Sequence, residues 1–122
     1  MTDIQVKITA IGKDALLADD DFLILFDEEV TDDLRTVSVI QELTAAQKQE
    51  FALKMGDQIV IDGQSYLIQA LGEQVNQQLQ TLGHTVLYFT QRPDSLPING
   101  VYLDGVVPKI QIGSEIQYQQ RG

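Results

Sequence analysis

The chain contains no cysteine and no tryptophan, a single histidine, three prolines and only eight basic residues. Without cysteine, disulfides, thiolate catalysis and cysteine-ligated metals are all excluded. With one histidine, any imidazole chemistry has one possible carrier, His84. Eight Lys and Arg face 18 Asp and Glu, a formal net charge of -10. Nucleic-acid binding depends on neutralising phosphates with Lys and Arg, so nucleic acid and anionic membrane are poor partners. A protein with a basic face is a compatible partner, although acidity also serves solubility alone. No apolar run approaches the ~20 residues of a membrane helix. Met1-Thr2-Asp3 leads straight into an alternating segment, with no basic-then-apolar leader. At 122 residues and 43% hydrophobic, the expectation is one domain over 1–122, cytoplasmic and without direct membrane insertion.

Period-two alternation is what the chain has in abundance. Ile4, Val6 and Ile8 alternate with polar residues, predicting a half-buried strand that ends near Gly12. Phe22 to Phe26 is a short apolar run, the pattern of a strand buried on both faces, and Asp27-Glu28-Glu29 reads as a solvated turn. Arg35 to Ile40 reads as a strand. Ile59 to Ile61, Asp62-Gly63 and Tyr66 to Ile68 read as a hairpin, Asp-Gly being a strong turn signal. His84 to Thr90, Val101 to Leu103 and Glu115 to Tyr118 complete about seven strands. Two segments break the alternation. Thr44 to Lys54 opens with a capping-box pattern, Thr44 with Gln47 three residues on, and puts Phe51 and Met55 on one face. Glu73 to Leu82 spaces Val75, Leu79 and Leu82 as a narrow apolar stripe, with Gly83 suited to a left-handed cap. The fold class predicted is all-β, a small closed or partly open barrel with one or two short covering helices.

Most chemistry-bearing patterns are missing. Asp19-Asp20-Asp21 lacks calcium-loop spacing, and consecutive residues point to different sides, so solvated loop acids are expected and no metal. Asp32-Asp33 is read in the same way. No glycine loop for phosphates and no nucleophile elbow is present. His84 remains. An imidazole can accept a phosphoryl group on either ring nitrogen. Placed directly after a capping glycine, however, it has a commoner role: bonding a nearby carbonyl and fixing a helix–strand junction.

Several segments together carry a resemblance. Ile11-Gly12, Phe22 to Phe26, Gly56-Asp57-Gln58-Ile59, Tyr66 to Gly72, Leu79-x-x-Leu82-Gly83-His84, Phe89, Leu96-Pro97, Gly105 to Pro108 and Gly113-Ser114-Glu115-Ile116 resemble the glucitol/sorbitol-specific IIA component of the phosphoenolpyruvate-dependent sugar phosphotransferase system. The resemblance covers nearly the whole chain. It implies a β-barrel phosphocarrier that takes a phosphoryl group from HPr onto a histidine and passes it to the IIB part of a sorbitol IIB/IIC permease, with no bound cofactor. In the family the acceptor histidine follows a Phe-Ile pair. Here Val39-Ile40 precedes Gln41, and an amide cannot form a reversible phosphoramidate. Three readings follow from the resemblance: a IIA-like module that docks phosphotransferase-system proteins without carrying phosphate, an acceptor relocated to His84, or an acyl phosphate on Glu42.

Overall fold

The computed structural model describes residues 2–17, 20–90 and 94–121. Inward Ile4, Val6 and Ile8 set the pleat of β1 (Thr2–Ile11), whose outward Asp3, Gln5 and Lys7 are exposed. The others are β2 (Phe22–Phe26), β3 (Val39–Gln41), β4 (Gln58–Ile61), β5 (Gln64–Leu71), β6 (Thr85–Tyr88), β7 (Gly100–Leu103) and β8 (Glu115–Gln120). These eight close into a barrel in the order β1-β3-β2-β6-β7-β5-β4-β8.

Two long strands make closure possible. Thr2 to Lys7 of β1 pair with β8, and Ile8 to Ile11 pair with β3 across a register shift between Ile8 and Ala10. β5 likewise pairs first with β4 and then, after a shift between Ile68 and Ala70, with β7. Such irregularities bend a strand and let it serve two neighbours. The β4–β5 hairpin turns through Asp62 (φ 49°) and Gly63 (φ 85°), the paired positive dihedrals that a tight two-residue hairpin requires. Inside, Tyr66 meets Phe89 edge-on at 5.1 Å and Phe51 meets Tyr118 at 5.0 Å. Each such ring contributes roughly 1.5–3 kcal/mol by leaving water.

Three short helices lie among the described residues: α1 (Asp32–Arg35), α2 (Ala45–Gln49) and α3 (Val75–Leu82). The barrel expectation holds, while several local expectations are corrected. Arg35 to Ile40 is not one strand. Asp32 and Asp33 in the first turn and Arg35 in the last complement a helix dipole, so the chain turns once as α1 and strand begins only at Val39. Gly12 permits this, because a Cβ there would lie 2.1 Å from the Arg35 carbonyl oxygen. The Thr44 capping box forms as expected, but α2 stops at Gln49. Beyond it, Phe51 and Leu53 enter the core, and Asn76 of α3 bonds both the N–H and the carbonyl of Leu53, at 2.7 and 2.8 Å. Met55 shares no buried face with Phe51 and is exposed. Of the α3 stripe, Val75 and Leu79 are buried whereas Leu82 is half exposed. Along Phe22 to Phe26, Leu23 and Leu25 are fully buried on one face, while the other face is half-buried at Phe22 and Ile24 and buried at Phe26.

Candidate functional site

Three chain segments converge at one end of β2. α3 ends on Gly83 in the left-handed conformation (φ 60°), which turns the chain sharply into β6. A Cβ at that glycine would lie 2.7 Å from the Asp27 Cβ and 3.0 Å from Leu43. Only glycine fits both the dihedral and the space. The turn delivers two groups to the interior, the Gly83 carbonyl and the His84 ring.

Gln41, the last residue of β3, receives the first. Its side-chain N–H donates to the Gly83 carbonyl at 3.0 Å. Its Oε1 accepts from the Tyr118 hydroxyl at 2.6 Å. The residue is fully buried. Burial pushes the Tyr118 hydroxyl far above its usual range, against the smaller opposing effect of the bond to Gln41, so the phenol stays protonated and donates. The amide thus uses its NH2 on a carbonyl that can only accept and its oxygen on a hydroxyl that donates.

His84 is also buried, at 9% exposure. Its Nδ1 lies 2.8 Å from the Leu25 carbonyl oxygen, and Asn99 Nδ2 lies 2.9 Å from its Nε2. A carbonyl only accepts and an amide NH2 only donates. The ring therefore carries its proton on Nδ1 and offers the Nε2 lone pair to Asn99. Phe26 stacks on one face at 3.9 Å and 15°. Burial pushes the imidazole below its ordinary value, partly opposed by the bond to Leu25, so the neutral form is favoured.

Glu42, next along the chain, faces outward and is exposed. It lines a shallow pocket with Gln5, Val6, Lys7, Thr44 and Gln47. The structure therefore gathers Gln41 and His84 around Gly83 and leaves Glu42 on the surface. Asp27 is a correction: it is buried rather than solvated, and its carboxylate pairs with Lys48 and accepts from the Glu29 N–H at 2.9 Å. Asp19 lies outside the described residues. Asp20 borders an apolar cavity at the other end of β2, lined by Leu16, Leu17 and Val107 among others, and Asp21 is exposed. Tyr118, Asn99, Phe26 and the Asp27–Lys48 pair escaped the sequence reading. Of these only Asn99 carried a local signal, as a turn-favouring Asn-Gly pair.

A family model described as the PTS system glucitol/sorbitol-specific IIA component matches residues 3–117. The chain belongs to this family. It is similar throughout to the crystal structure of the PTS system IIA component from Enterococcus faecalis V583, with a TM-score of 0.88 at 36% identity over 96% of this chain and 100% of that one. No curated protein matches the chain. Among the described residues no helix is long and apolar enough to cross a membrane. As a IIA-family barrel, the chain gathers an amide and a neutral imidazole at this end of the fold, both buried and both with every polar atom engaged.

Proposed function

We propose that this IIA-family chain works in a cytoplasmic sugar phosphotransferase system as a docking or regulatory module that carries no phosphoryl group, its partners being HPr and the sorbitol IIB/IIC permease proteins. One observation carries the reading: Gln41, at the position where the resemblance puts the family's acceptor histidine, is a buried structural bridge between Gly83 and Tyr118. Its oxygen is a poor nucleophile and its nitrogen is non-basic. An acceptor must also be reached by a donor's phosphoryl group, which takes the place of solvent at the attacking atom.

A second reading has one observation in its favour. His84 is held in the tautomer that leaves Nε2 unprotonated, and a single amide, Asn99, stands over that lone pair. Displacing Asn99 would expose a nucleophile already oriented by Leu25. Glu42 is accessible, but an acyl phosphate there would stand in open solvent with Lys7 as the one basic lining residue.

Incubation with phosphoenolpyruvate, the general transferase and HPr, followed by intact mass at neutral pH, tests all three. The expected result is an unchanged mass. A phosphoryl gain abolished by His84→Ala would replace the proposal with the relocated acceptor, and a gain abolished by Glu42→Gln would replace it with the acyl phosphate. Retention of HPr or a IIB protein on the immobilised chain is the expected positive result.

A further inference from the structure

We propose that the groove between α1 and the end of α3 is where a partner protein seats, and that the partner brings a basic face with a projecting apolar side chain. The inference rests on the docking reading above and assigns it a place. The groove, about 220 Å³, is lined by Phe26, Val30, Leu34 and Leu82, with Asp27 and Glu29 at its edge. Leu34 is 44% and Leu82 50% exposed. Both are large apolar side chains, and both line the same groove.

The charge around the groove selects the occupant. Five of the seven residues from 27 to 33 are acidic. Asp27 is neutralised by Lys48, which leaves Glu28, Glu29, Asp32 and Asp33 exposed and, among the described residues, without a salt-bridge partner; Glu29 lines the groove, and the other three flank its lining residues in sequence. Arg35, the nearest base in sequence, donates one guanidinium N–H to the Glu28 backbone carbonyl at 2.7 Å and keeps its charge, so the four exposed carboxylates outnumber it. Anionic ligands, phosphorylated sugars included, are repelled by such a rim. The volume is also below the roughly 300–1,000 Å³ of small-molecule sites. A second copy meeting face to face would set these carboxylates against their own symmetry mates. A basic protein face satisfies both the floor and the rim.

The groove also adjoins the buried network. Phe26, which lines it, stacks on His84, and Leu82 immediately precedes Gly83. A partner seated here lies over the place where the resemblance puts the family's chemistry.

Titration of the isotope-labelled full chain with purified HPr and, separately, with a purified sorbitol IIB protein tests the assignment. Expected are amide shifts centred on residues 26–34 and 79–84, and affinity falling by about tenfold between low and physiological salt, as exposed charges become screened. Glu29→Lys with Asp33→Lys, both at exposed positions, and separately Leu82→Ser, are each expected to weaken binding by about tenfold with the circular dichroism unchanged. Should Leu82→Ser disturb folding, the charge-reversed pair decides alone. Binding by neither protein would overturn the docking reading, and the groove with it. Binding with shifts elsewhere, and with the charge-reversed pair as tight as wild type, would overturn the groove alone.

Discussion

At Gln41 one side chain satisfies two interior groups, the Gly83 carbonyl and the Tyr118 hydroxyl. In Gln41→Ala the Tyr118 hydroxyl and the Gly83 carbonyl both lose that partner, and a cavity opens between them. The expected loss is about 3 kcal/mol, read as a lower urea midpoint with an unchanged slope. His84 offers a cleaner readout, because it is the only imidazole in the chain. Its nitrogen-15 spectrum should show the Nδ1–H tautomer, with a titration midpoint below 6.5, its ordinary value. Burial favours the neutral ring, so as pH falls the unfolded chain takes up this proton before the folded one does. The resulting stability is complete above about pH 6.5 and declines as pH falls from there towards the lowered folded value. His84→Gln should lack that step while keeping the carboxylate titrations at lower pH. A wild-type midpoint at or above 6.5 would contradict the buried, neutral ring.

α2 shows how a short element holds a charge in place. Thr44 accepts from the Gln47 N–H at 3.0 Å and Gln47 returns a bond to the Thr44 N–H at 3.0 Å, so Thr44→Ala should cost about 1 kcal/mol in thermal or urea unfolding. The helix carries Lys48 to Asp27, whose side chain is 7% exposed against 15% for the lysine. Lys48→Met strands that carboxylate and is expected to cost about 3 kcal/mol, most of it recovered when Asp27→Asn is added. The capping box was visible in the sequence because it is local, three residues apart. The early end of α2 was not, since it depends on Asn76, more than twenty residues on, capturing the backbone of Leu53. The single turn of α1 was missed for a related reason. Val37 and Val39 fit a strand by alternation, but the close approach of Gly12 to the backbone at Arg35 and Thr36 favours the helical turn.

For the molecule as a whole, closure rests on β8, which pairs with β1 on one side and β4 on the other. It also supplies Tyr118 to Gln41, and Gln120, whose Nε2 donates to the Thr2 and Glu50 carbonyls at 3.2 and 2.9 Å. Deleting residues 115–122 would leave two bare strand edges and an amide without its hydroxyl. The truncated chain should elute as oligomers or aggregate rather than as the species formed by the full chain, because open edges recruit other strands. A truncated chain that keeps the full chain's elution and hydrogen-exchange protection would show that closure is dispensable.

The residue order alone determined whatever depends on near neighbours. Alternation set the strands, Asp62-Gly63 set the hairpin, Thr44 with Gln47 opened α2, and Gly83 ended α3, because backbone dihedrals and caps are decided within a few residues. The β-barrel class followed from the number and spacing of those strands. Only the tertiary structure decided what Gln41 and His84 touch: Tyr118 is 77 residues from Gln41, and Leu25 is 59 from His84. Nor could composition tell that Asp27 leaves water while Glu28 and Glu29 stay in it. A buried polar group must find its complement wherever the folded chain brings one, and that pairing exists only once the barrel has closed.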